Sequence, residues 1–233
     1  MKKTMKKILS IVLSLVLVMA LCATASAAGL VGVAMPTQDL QRWNQDGANM
    51  KAQLEAAGYE VILTYANNNV AQQVADIENM ILNGCEALVV ASIDGSALGT
   101  VLAQAKEAGI PIIAYDRLLT NTDAVDYYTT FDNYKVGQIQ GQYIVEKFDL
   151  ANTDKTYTIE FTAGSPDDNN AGLFFAGAFD TVKPYLDNGK LVCVSGQTAF
   201  EQIATPAWKS ETAQARMDNI LSGFYADALT GGQ

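Results

Sequence analysis

The sequence predicts an α/β protein built as two Rossmann-like, doubly wound parallel-sheet lobes joined by a hinge. Three observations carry that prediction. Short apolar runs alternate with amphipathic stretches from residue 30 onward. The runs are continuously apolar, without the in-out alternation of a sheet that has one wet face, as strands covered by helices on both sides must be. Glycine closes three of the amphipathic stretches in succession, where a helix commonly ends in a left-handed residue.

Residues 30–35 (LVGVAM) read as the first strand, and 40–58 as a helix ending at Gly58. Residues 61–65 (VILTY) are the second strand, followed by a helix over 69–83 ended by Gly84. Residues 87–91 (ALVVA) are the third strand, with a helix over 96–108 ended by Gly109, and 110–115 (IPIIAY) the fourth. Three successive strand–helix–strand units with right-handed crossovers give a parallel sheet. A fifth apolar segment, 127–131, precedes Asp132-Asn133 and a long helix over 134–148. After a polar turn at 151–155 the alternation restarts: strand 157–162, helix 170–186, strand 191–195, helix 210–229. The lobes are therefore expected at 28–132 and 133–233, with the hinge near Asp132. The second has two predicted strands against five in the first, and the sequence stops just past a helix, where a parallel sheet calls for another strand. An incomplete second lobe is the expectation; a naturally small one is the alternative.

Residues 1–27 stand apart. Lys2, Lys3, Lys6 and Lys7 precede an apolar run at 8–21, and Ala25-Ser26-Ala27 offers a small-x-small cleavage site. This is the three-part layout of a secretory signal peptide. A membrane anchor would need a longer run. Lipid attachment at Cys22 is a second alternative, against which Leu21 stands where a small residue is wanted. Cleavage after Ala27 leaves 11 basic and 25 acidic residues, a net charge of −14, with Cys85 and Cys193 as the remaining cysteines. Both read as small buried apolar residues. The expected location is the periplasm or the extracytoplasmic cell surface, a place without ATP or NAD. The acidic balance argues against a nucleic-acid partner.

The chain has no His, which removes His-based triads and His-ligated zinc. Neither G-x-G-x-x-G nor the P-loop pattern occurs. No cofactor, metal or catalytic residue is expected. In open parallel sheets, ligands bind beyond the C-terminal strand ends. Thr37, Gln38, Asp39, Gln41, Arg42 and Trp43 follow the first strand, Ser92 and Asp94 the third, Asp116 and Arg117 the fourth. In the second lobe, Gly164-Ser165-Pro166-Asp167-Asp168-Asn169-Asn170 follow one strand, and Gln197 and Trp208 the other. Carboxylates, amides and guanidinium forks match a neutral polyhydroxylated ligand, whose hydroxyls both donate and accept. Indole faces suit the C–H side of a sugar ring. Each residue has a plainer alternative: Trp43 as core, Asp116-Arg117 as a surface ion pair, Asp167-Asp168-Asn169 as a helix cap. Adjacent Asp167 and Asp168 do not suggest a glycosidase, which needs two carboxyls facing one another across a bond.

The segments VGVAMPT…RW, IENMILNG, VVASIDG, IIAYDRL, DYYTTFDN, GSPDDNNA and SGQ…W…TAQARMDN, in that order from Gly29 to Ala226, resemble the periplasmic sugar-binding proteins of ABC importers, the multiple-sugar-binding and xylose-binding branch above all. The resemblance implies a type I periplasmic-binding fold with an aldose (xylose, arabinose, glucose or galactose) in the cleft, handed to a membrane permease. It implies that Arg42 and Trp43 are first-loop contacts and that Asp116 and Arg117 are a pair on the sugar hydroxyls. Asp168 and Asn170 would be polar contacts, and Trp208 the aromatic over the ring, so that the two indoles sandwich the sugar. Asp94 matches less closely. A sensory role, with the closed form docking on a chemoreceptor or sensor kinase, is the alternative to transport. A transcription regulator on the same fold would carry a helix-turn-helix head where this sequence has its leader. The protein is expected to act as a monomer.

Overall fold

The structure is a computed structural model and describes residues 28–226; the predicted leader, Cys22 and the end of the last predicted helix lie outside them. The first sheet holds strands β1 (Leu30–Met35), β2 (Glu60–Tyr65), β3 (Ala87–Val90), β4 (Ile112–Tyr115) and β5 (Tyr127–Thr129) in the order β2-β1-β3-β4-β5. All four pairings are parallel, with Val33 opposite Leu63 on one side and Val89 on the other. Helices α1 (Gln41–Ala56), α2 (Val70–Leu82) and α3 (Gly99–Glu107) make the crossovers.

The alternation of side chains along β1 explains the two layers. Val31, Val33 and Met35 face α1 and its Trp43, in a cluster with Val89 and Ala91. Ala34 faces the other way, against Ile77 and Met80 of α2 and Leu98, Val101 and Leu102 around α3. Each fully buried aliphatic side chain of this kind contributes about 1.5–3 kcal/mol. Gly32 lets α2 come close: a Cβ there would lie 2.6 Å from Met80 Sδ. Gly58 and Gly84 end their helices at positive φ of 94° and 79°, as the sequence predicts.

The second sheet has two parallel strands, β6 (Tyr157–Thr158) and β7 (Leu191–Val192). Around it lie α4 (Asn133–Lys147), α5 (Asn169–Asp187), the short α6 (Phe200–Ile203) and α7 (Ser210–Phe224). A 3-10 turn, Pro206–Trp208, sits between the last two. Helices α4 and α5 pack backbone on backbone. A Cβ at Gly137 would lie 2.1 Å from Phe174 O, and one at Gly177 2.1 Å from Tyr134 O. Val145, Leu150, Val182 and Leu191 form the core beneath them.

The structure departs from the sequence reading at several places, among them a short helix α6 and a 3-10 turn that the sequence reading did not predict. The strands predicted over 157–162 and 191–195 are much shorter, because beyond Ile159 N–H···O Val192 the ladder gives way to side-chain bonds: Glu160 accepts from the Ser195 amide at 3.0 Å. Helix α3 starts at Gly99, three residues late, because Asp94 turns the chain by accepting from Ser96 N–H. Cys193 is half-buried among polar groups, 3.6 Å from Glu160 Oε2 and from Ser195 Oγ, and is not the buried apolar residue expected.

Candidate functional site

The C-terminal ends of β1 and β4, the start of α5 and the 3-10 turn meet at one cavity of about 430 Å³. Its walls are Leu40, Gln41, Arg42, Trp43, Asp116, Arg117, Asp168, Asn170, Phe174 and Trp208. Seven of the eight candidate residues are among them. Asp94 is not: its Oδ1 accepts from Ser96 N–H at 2.8 Å and from Ser96 Oγ at 2.7 Å, a local turn.

Asp116 ends β4 in a left-handed conformation, φ 64°. Arg117 N–H donates to Tyr115 O across it at 2.7 Å, which makes a γ-turn of the rarer, positive-φ kind. A non-glycine residue held this way is a small reservoir of strain, maintained by its surroundings. Those surroundings are visible: Asp116 O accepts from Tyr128 Oη, Thr130 Oγ1 and Asn170 Nδ2 at 3.2, 3.0 and 2.9 Å. Its Oδ1 accepts from Arg42 Nη2 at 3.0 Å, and Arg42 also holds Asp46. The Oδ2 oxygen has no hydrogen bond among the described residues and is a free acceptor.

Arg117 is 7% exposed. Its Nη1 donates to Ser92 O at 2.9 Å and Ile93 O at 3.2 Å. Its Nε lies 3.2 Å from Asp168 Oδ2, close enough for an ion pair but not aimed as a hydrogen bond. The Nη2 prong has no partner among the described residues and is a free donor. Asp168 caps α5 by accepting from Asn170 N–H at 3.0 Å, and its Oδ2 accepts from Trp208 Nε1 at 3.1 Å. Burial pushes the Asp168 carboxyl above the usual carboxylate range, outweighing the pull of Arg117 and of these two donors.

Trp43 and Asn170 also hold the site's own residues in place. Trp43 is 1% exposed, with the Arg42 guanidinium 4.1 Å and that of Arg117 5.2 Å from its ring centroid. It is a platform for two cations, and with Trp208 it contributes to the cavity wall. Asn170 donates to Asp116 O at 2.9 Å and accepts from Asn133 Nδ2 at 2.8 Å; its amide ties the second lobe to the first and keeps one N–H and one lone pair uncommitted. Trp208 is half-buried, its indole resting where a Cβ on Gly164 would lie, 2.0 Å from Cη2. Phe174 escaped the sequence reading. It lies one turn beyond Asn170 on the same helix face, a spacing that could have found it. With Trp208 it also borders a neighbouring cavity of about 320 Å³.

A family model described as a periplasmic binding protein domain matches residues 31–232. The chain belongs to that family. It is 49% identical over 206 residues to the multiple sugar-binding periplasmic receptor ChvE of Rhizobium radiobacter, covering 88% of this chain and 58% of that one. It is 36% identical over 192 residues to the D-xylose-binding periplasmic protein of Escherichia coli K12, covering 82% and 54%. The crystal structure of an ABC transporter solute-binding protein from Clostridium phytofermentans, with bound β-D-glucose, is similar at a TM-score of 0.83 and 61% identity, covering 85% of this chain and 61% of that one. The chain thus spans a little over half the length of the curated relatives it matches. The fold is the type I periplasmic-binding fold, α/β with a parallel sheet.

Proposed function

We propose that this chain is the ligand-holding part of an exported receptor that takes a neutral aldose between two lobes meeting near Asp132 and presents it to the permease of an ABC importer. The observation that carries the reading is the convergence, on one cavity, of a free acceptor (Asp116 Oδ2), a free donor (Arg117 Nη2) and the indole of Trp208. A sugar hydroxyl satisfies both kinds of polar atom at once, and an indole covers the apolar C–H face of the ring. The names of the relatives and the glucose in the Clostridium structure support the same ligand class. No bond is made or broken; affinity rests on closure around the sugar and exclusion of water.

Calorimetric titration with D-glucose, D-xylose, L-arabinose and D-galactose, with sorbitol as a control, tests the reading. Saturable binding of at least one aldose is expected, and heat from none of them refutes it. Trp208→Ala is expected to weaken that affinity by about one to three orders of magnitude, on the roughly 1–4 kcal/mol scale of buried aromatic contacts. An unchanged Kd would remove Trp208 from the site.

A further inference from the structure

We infer that Gln73, on α2 and outside the cavity, is a positioning residue for Arg117; the inference rests on the aldose-binding reading above. Gln73 shares its helix face with Ile77 and Met80 and is 0% exposed. An apolar side chain would serve the core at that position. A buried amide carries a desolvation cost unless both ends are bonded, and here both are. Its Nε2 donates to Ala91 O at 2.9 Å, and its Oε1 accepts from Ile93 N–H at 2.9 Å. These two backbone groups lie just beyond β3, where the ladder to β4 has ended at Val90 opposite Ala114. Gln73 therefore stands in for the missing strand partner and fixes residues 91–93 from one side. From the other side, the carbonyls of Ser92 and Ile93 receive Arg117 Nη1. The chain of contacts is continuous: the Gln73 amide sets the peptide planes at 91–93, those planes aim two carbonyls, and the carbonyls orient the guanidinium over Trp43 and beside Asp168. The free Nη2 prong points where that fork is held.

Gln73→Met keeps the volume and removes both bonds. In a calorimetric titration with the aldose that binds wild type best, it is expected to raise Kd about tenfold. A merely structural residue would produce the same change whatever stands at 117. A positioning residue would not, so the test is a double-mutant cycle. In an Arg117→Met background, Gln73→Met should leave Kd unchanged. Gln73→Leu, which also removes both bonds and suits a buried helix position, should show the same non-additive loss and serves if the Met variant does not fold. Equal losses in both backgrounds, or no loss in either, overturn the inference. The guanidinium NMR signals of Arg117 give a sugar-free readout: they should shift and broaden in Gln73→Met. If no sugar binds wild type, the aldose reading falls by itself, and unchanged Arg117 signals then overturn the role of Gln73.

Discussion

A glycine and a tryptophan show how single residues set the site. The Trp208 indole occupies the space a side chain on Gly164 would need, and its N–H is spent on Asp168. The backbone of Ala207 and Trp208 is left-handed, at φ 52° and 55°, held in part by Ala207 N–H donating to Ser165 Oγ at 2.8 Å. Gly164→Ala must push the ring aside, because its Cβ would lie 2.0 Å from Trp208 Cη2. Its affinity loss should match that of Trp208→Ala within about threefold, and the double variant should be no worse than either alone. Additive losses by calorimetry would show that Gly164 acts elsewhere. At this scale the sequence was partly legible. The strand-end rule finds Asp116, Arg117, Asp168 and Asn170, because topology alone brings those positions together. It does not reveal that two guanidinium groups lie over the Trp43 ring, or that Asp94 Oδ1 is held by Ser96. An Asx turn and a ligand contact are written with the same residue, and only the neighbouring backbone separates them.

Among the elements, the α4–α5 pair is the tightest contact in the second lobe, and glycine makes it possible. Gly137, Gly141 and Gly177 let the two backbones approach until the atom nearest to a Cβ at Gly177 is Tyr134 O, at 2.1 Å. Backbone cannot swing away as a flexible side chain would. Gly177→Ala is therefore expected to destabilise the fold by about 1–3 kcal/mol, the usual range for overpacking, despite the higher helix propensity of Ala. Guanidinium chloride unfolding measures it, and a variant as stable as wild type would mean that the helices separate at little cost. The existence of these helices was legible from the apolar period. So was the start of α5, where Asp168 accepts from Asn170 N–H; Asp132 caps α4 in the same way by accepting from Lys135 N–H. The short α6 was not, since four residues carry no period. Strand lengths in the second lobe were also illegible. The apolar run at 157–162 looks like a full strand, yet pairing beyond Ile159 depends on a partner far along the chain, and there Glu160 bonds Ser195 instead.

For the whole molecule, Asp168 and Glu160, two carboxyls held away from bulk solvent, pull stability in opposite directions with pH. Burial pushes Asp168 up. The native state then keeps a proton that the unfolded chain has released, so its contribution falls as pH rises from the usual carboxylate value to the raised one. Glu160 runs the other way. Burial pushes it up as well, but the Ser195 hydroxyl and amide, the Tyr225 hydroxyl and the Cys193 thiol together outweigh that and hold the carboxyl below its usual range. Tyr225 is correspondingly pushed up to about 12, by burial and by Glu160. This cluster joins β6, the segment after β7 and the end of α7, so its charge state bears on how the second lobe holds together. The stability it supplies is present above the usual carboxylate value and is lost as pH falls toward the lowered one. Glu160→Gln keeps the shape and removes the titration. Asp168 is common to both proteins and cancels in their difference. The stability gap between wild type and Glu160→Gln should be widest near neutrality and shrink steadily as pH falls below the usual carboxylate value. Urea unfolding at a series of pH values measures that gap; a gap constant across the series would mean that the Glu160 carboxylate is no better held in the folded lobe than in the unfolded chain.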